Sequence, residues 1–158
     1  ADFIRLRSDV ERRRLHGRAA RGPSHSGLGT GLYGAAQTAR TYDHLLAVAE
    51  TLLRAGHSVL VDATFLRRDQ RAPFQALAER LHVPFRILDC DAPEAVLRAR
   101  VAARAETGAD ASEADLAVLE RQLAQREAPD PADRAIAMTV DTSVPLAPAQ
   151  RARKPCTR

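Results

Sequence analysis

Lysine is almost missing from this sequence: Lys154 is the only one, although Lys and Arg together number 24. Arginine therefore carries nearly all of the positive charge. So lopsided a usage weakens any argument from arginine count alone, yet each planar guanidinium can bind a phosphate or carboxylate through two hydrogen bonds at once. Cysteine is nearly as scarce. Cys90 lies in a strand-like stretch and Cys156 in a loose basic tail, which does not make a disulfide framework, and a reducing cytoplasm is the expected compartment. No cysteine and histidine spacing fits a zinc site, and His16, His25, His44, His57 and His82 form no triad pattern. No apolar run approaches the roughly 20 residues of a membrane span. A secretory signal is also missing, and the chain opens on Ala1 rather than Met, as a fragment or a trimmed chain would. Aromatic residues make up only 4%, which counts against a nucleic-acid reader built on stacking. Tyr33 and Tyr42 read as packing groups.

What remains is the composition of one globular domain. The length of 158 residues suffices for a single core, and the net charge of +4 suits anionic ligands without choosing among them.

Strands and helices alternate along the chain. "DFIRLR" reads as a short strand and "SDVERRRLHG" as a short helix, with Ser8 or Asp9 at its N-cap and Gly17 past its end. Residues 17 to 34 are rich in Gly and Ser and form a loop. "TYDHLLAVAETLLRAG" sets Tyr42, Leu45, Leu46, Ala49, Leu52 and Leu53 at helical spacing. "SVLVD" is short and β-branched enough to be a strand. The next helix ends near His82 with Phe74, Leu77, Ala78 and Leu81 on one face, and Pro73 belongs within its first turn or so. "PFRILDC" is a strand, "PEAVLRARVAARAE" a helix, and "SEADLAVLERQLAQRE" a second helix in which Ser112 and Asp115 have capping-box spacing. "AIAMTVD" closes the series as a strand. A P-rich, basic tail of weak order is expected over 143–158, after a domain over 1–142.

Such an alternation implies a parallel sheet covered by helices, with ligands at the carboxyl ends of its strands. Those positions hold Ser8 and Asp9, then Asp62 and Thr64, then Asp89 and Asp91. Acidic and hydroxyl groups thus recur at one edge, where they can meet a metal ion and a reacting hydroxyl.

With these motifs, "IRLRSDVERRRLHG", "GLYGAAQTARTYDHLLAVAETLLRAGHSVLVDATFLRRDQR", "PFRILDCDAPEAVLRARVAAR" and "DASEADLAVLERQL", the chain resembles the small P-loop kinases that include polynucleotide kinase, zeta toxin, chloramphenicol phosphotransferase and gluconate kinase. It is similar in particular to the kinase domain found behind an aminoglycoside-phosphotransferase-like domain in bacterial proteins. The resemblance runs from about Phe3 to Thr142. It implies a three-layer αβα fold, ATP and Mg²⁺ as cofactors, and transfer of a phosphoryl group to a hydroxyl of a small molecule or nucleic acid end.

It also implies roles for single residues. Asp9 and Arg12 match a DxxR pattern, with Asp9 as general base and Arg12 as substrate anchor; phosphoryl transfer needs little more than an oriented nucleophile and charge neutralisation. The plain alternative is that Asp9 caps the helix and Arg12 to Arg14 form a solvated basic face. Asp62 falls at a Walker B-like strand end and stands beside the metal, or else caps the next turn. Thr64 lines the acceptor site, and Arg67 and Arg71 reach substrate phosphate. Arg104 and Arg100 resemble lid arginines, unless they pair along the helix with Glu94 or Glu106.

One part of the pattern is missing. A Walker A loop needs Gly-Lys followed by Ser or Thr, whereas the sole lysine precedes Pro155. "GPSHSGLGTG" follows a helix, not a strand, and reads as a substrate-side loop. The expectation is a sheet lacking its first strand and its phosphate loop, with activity doubtful in the chain by itself. The competing reading is a non-catalytic kinase remnant that binds an anionic ligand or a partner domain.

Overall fold

The fold was read from a computed structural model, which describes residues 2–17, 34–107 and 115–144. Among them the chain alternates strand and helix: β1 (Phe3–Arg7), α1 (Ser8–Leu15), α2 (Ala35–Arg54), β2 (Ser58–Asp62), α3 (Arg68–Leu81), β3 (Ile87–Asp91), α4 (Glu94–Thr107), α5 (Leu116–Gln125), α6 (Pro131–Ile136) and β4 (Ala137–Asp141). The expected loop over 17–34, Ser112 of the expected capping box and the tail beyond Val144 lie outside the described residues apart from their edges.

All pairing is parallel, but the strands form two pairs instead of one sheet: β1 with β2, and β3 with β4. In the first pair Leu6 is aligned with Val61 and Arg7 with Asp62. Because side chains alternate across a strand, Leu6, Val59 and Val61 join the core while Phe3, Arg5 and Leu60 remain exposed. The second pair aligns Ile87 with Ala137 and Asp91 with Asp141. Its Leu88 and Met138 are 48% and 58% exposed, so this pair buries little of its own apolar surface.

The core sits under the first pair. Leu6, Tyr42, Leu45, Ala49, Phe74 and Leu77 form it, with Phe65, Leu81 and Phe85 packed against them. The apolar stripe of α2 and the Phe74, Leu77 and Ala78 face of α3 therefore lie where their spacing puts them. Leu45 is fully enclosed, at 0% exposure. Leu45→Ala should lower unfolding free energy by about 3 kcal/mol, the sum of lost transfer energy and an unfilled cavity. Urea denaturation measures this; a loss below about 1 kcal/mol would mean that the helices collapse onto the vacated space.

Four details differ from expectation. The N-cap of α1 is Arg7, with no side-chain cap bond, so Asp9 stands inside the first turn rather than capping it. Pro73 lies inside α3, which starts at Arg68; its missing N–H costs the helix one backbone bond in the second turn. The helix α2 begins at Ala35, before its apolar stripe, and α6 is an added short helix capped by Asp130, whose carboxylate accepts from the Asp133 amide. Gly17 and Gly56 follow α1 and α2 with φ of 64° and 84°, the left-handed turn that helix ends use.

Ties between the halves run through the segment after β2. The Glu127 amide donates to the Leu66 carbonyl at 2.8 Å, and the Arg68 amide donates to Glu127 Oε2 at 2.6 Å. Arg68 Nε lies 3.1 Å from Asp130, and Arg71 pairs with Asp133.

Candidate functional site

The register of β1 and β2 brings their carboxyl ends level, and α1 starts directly after β1. The first turn of α1 therefore stands beside the turn that follows β2. Tyr42, from α2, fills the space between them. It is buried, and its hydroxyl accepts from the Phe65 amide at 3.0 Å and meets Thr64 Oγ1 at 3.3 Å. Burial raises its pKa above the usual phenol value; the contacts with Thr64 and Phe65 and the Arg12 charge work the other way, and Asp9 adds to the rise. Thr64 thus touches this hydroxyl directly, while Asp9 and Arg12 act on it through their charges. The neutral phenol is favoured by folding, so this contribution is complete below the unfolded-state pKa and lost as pH rises through the folded one.

Asp9 is half-buried in the first turn of α1, where the helix dipole favours a carboxylate. Arg12, one turn on, is buried, and its Nη1 makes a long 3.4 Å contact to Thr38 Oγ1. The same helix buries Glu11, which accepts from Arg14 at 2.6 Å and faces His44 Nε2 at 3.1 Å. A buried carboxylate with two such partners is satisfied. The three consecutive arginines are not one solvated face: Arg12 and Arg13 are buried and Arg14 is exposed.

Asp62 does not cap a turn. Its Oδ2 accepts from Arg5, whose Nε lies at 3.0 Å, and Arg7 Nε approaches to 3.7 Å. Arg5 is 58% exposed and Asp62 41%, so these pairs are weakly held and exchangeable. No group of three or more His, Cys, Asp or Glu among the described residues can hold a metal ion. Two guanidiniums already supply positive charge at Asp62, and the sole lysine lies outside the described residues. The residues described here therefore do not build a Mg²⁺ or phosphate cradle by themselves.

The other arginines divide. Arg71 is buried and spent on structure: Nε donates to Asp133 Oδ2 at 3.0 Å and Nη1 to the Phe65 carbonyl at 2.9 Å. Its position offers no free fork to a substrate. Arg67 is exposed, caps α3, and pairs with Asp69 through Nε at 3.0 Å; that bond raises the Arg67 pKa and lowers that of Asp69. Arg100 reaches from α4 to the end of β4, where Nη1 donates to Thr142 Oγ1 at 3.0 Å. Arg104 is exposed on α4, and it is Arg98 that pairs with Glu94. The structure thus sets Thr64 against the Tyr42 hydroxyl, keeps Asp9 and Arg12 on the adjoining helix α1, and sets Arg100 at the carboxyl end of the other strand pair.

Sequence reasoning missed two participants. Tyr42 reads as core because its spacing is that of core, and no local signal announces the Thr64 contact. Arg126 likewise has no motif, yet it bridges Asp89 at 3.0 Å and Asp91 at 3.3 Å across the end of β3. At the end of β4, the Ser143 hydroxyl and amide hold the Asp141 carboxyl below the usual range.

A family described as AAA domain matches residues 1–129. Uncharacterized proteins of Mycobacterium bovis and Mycobacterium tuberculosis are each 35% identical over 85 residues, 54% of this chain and 17% of theirs. The chain thus spans a small part of the curated relatives it matches. No helix among the described residues is long and apolar enough to cross a membrane. With the family match covering most of its length, the chain belongs to the AAA domain family, a P-loop NTPase-like family.

Proposed function

We propose that these residues form the acceptor side of an ATP- and Mg²⁺-dependent phosphotransferase acting on a hydroxyl of a small molecule or nucleic acid end. The observation that carries the reading is the contact of Thr64 with the buried Tyr42 hydroxyl after β2, whose end is level with that of β1, where the charges of Asp9 and Arg12 are also felt. In this reading the Asp9 carboxylate orients the acceptor hydroxyl and takes its proton, Arg12 balances the anionic part of the substrate, and Thr64 contacts the acceptor. Asp62, once exchanged from its exposed arginines, is the metal-side carboxylate. Arg104, with Arg100 behind it, is the lid arginine, and Arg67 is an outer contact to phosphate. Because the described residues build no phosphate cradle, donor binding is assigned to chain outside them. The domain spans 1–142, and an aminoglycoside-phosphotransferase-like domain is the proposed neighbour in longer relatives.

The thermal midpoint with and without saturating Mg·ATP tests this, for the chain as given and for any longer natural chain that contains it. Binding to the native state alone stabilises it by about 2.7 kcal/mol at 100 times the dissociation constant. An upward shift is expected in the longer chain. No shift in either, despite cooperative melting, would overturn the ATP-dependent reading. The second reading, a non-catalytic remnant binding an anionic ligand or partner domain, would then stand; the arginine pairs on Asp62 favour it.

A further inference from the structure

We propose that Tyr42 is a positioning residue that locks the Thr64 hydroxyl and the turn behind it in place for the acceptor, an inference that rests on the acceptor-side reading above. A backbone amide only donates, so the Phe65 N–H, 3.0 Å away, fixes the Tyr42 oxygen as its acceptor. The same oxygen meets Thr64 Oγ1 at 3.3 Å, a contact in which either hydroxyl can donate. With the phenol as donor, Thr64, whose side chain is exposed, keeps its own hydrogen for donation outward. In either sense the contact holds the Thr64 hydroxyl in one direction, suited to an oxygen of the acceptor or of an anionic group near it.

The backbone supports a designed arrangement. Phe65 has φ of 44°, one of two non-glycine residues among those described with positive φ. A bulky residue adopts that conformation only where its surroundings enforce it, and such strain clusters at functional sites. Here the enforcing groups are the Tyr42 hydroxyl, the edge-on rings of Tyr42 and Phe74 at 5.3 and 5.2 Å from the Phe65 ring, and Arg71, which donates to the Phe65 carbonyl. Ring packing alone would be served by phenylalanine at position 42. The hydroxyl is the part that packing does not explain.

The test isolates that atom. In the wild-type chain, NMR couplings at Thr64 should report one χ1 rotamer and the Phe65 amide should exchange slowly. Tyr42→Phe should leave melting cooperative, average the Thr64 couplings, and accelerate Phe65 exchange about tenfold or more. Averaged Thr64 couplings in the wild type, or unchanged couplings and exchange in Tyr42→Phe, would overturn the proposal, and the first arm needs no variant to fold. In a natural chain that transfers phosphate, Tyr42→Phe should raise KM for the acceptor about tenfold, leave KM for ATP alone, and add nothing on top of Thr64→Val. An equal effect in both backgrounds means that Tyr42 does not act through Thr64. A wild-type protein with a locked Thr64 but no phosphoryl transfer retires the kinase reading, not the clamp.

Discussion

Arg71→Met should destabilise the chain by about 3 to 5 kcal/mol, the cost of leaving one buried charge without its partner. Arg71 and Asp133 side chains are 9% and 7% exposed, with Nη2 and Oδ2 at 2.8 Å. Methionine removes the guanidinium but not the carboxylate. Asp133 would then have to be buried charged and uncompensated, or take up a proton. The Phe65 carbonyl loses a donor at the same time, and so does the strained turn that carries Thr64. The double variant Arg71→Met with Asp133→Leu should recover much of the loss, because replacing a whole buried pair by apolar groups is often nearly neutral. Urea denaturation of the two single variants and the double gives the coupling directly. If Arg71→Met costs less than about 1 kcal/mol, the pair is solvated like a surface one and the two strand pairs do not depend on it. Any loss of activity in this variant is expected to track its loss of stability, since the side chain points into the protein and not at a substrate.

The same arginine marks where sequence reading stops. In "FLRRDQR" three arginines look alike, and all three invite a phosphate. Only the fold separates them: Arg67 pairs with its neighbour Asp69, Arg68 reaches Asp130, and Arg71 finds Asp133, far away in sequence. Tyr42 and Thr64 illustrate the same limit at shorter range, because their contact exists only once α2 lies along β2. By contrast, β1, β2, β3 and β4 were legible within a few residues, since each is a short apolar or β-branched run ending at an acidic or hydroxyl group. The stripe of α2 and the inner face of α3 were legible for the matching reason of helical period. The first two turns of α2, "AAQTAR", have no stripe to read, and α6 is too short to show one. The split into two strand pairs depends on pairing between distant strands, and no single stretch of sequence encodes it. The cap position of α1 belongs to Arg7, so capping is not the reason for an aspartate at position 9.

Asp9→Asn should therefore reduce kcat by about 10² to 10⁴ in a natural chain that transfers phosphate, the usual contribution of a positioned general base. Asparagine keeps the shape and can still hydrogen-bond, but it cannot take a proton. Stability should change little. The negative charge in the first turn of α1 interacts with the helix dipole, and removing it costs about 0.3 to 1 kcal/mol. Steady-state kinetics beside a melting curve give the decisive comparison. Unchanged kcat with a melting point lowered by a few degrees would make Asp9 a structural residue of α1 and not a base. A large loss of kcat at unchanged melting temperature and unchanged KM for ATP puts the proton transfer in the first turn of α1, directly after β1.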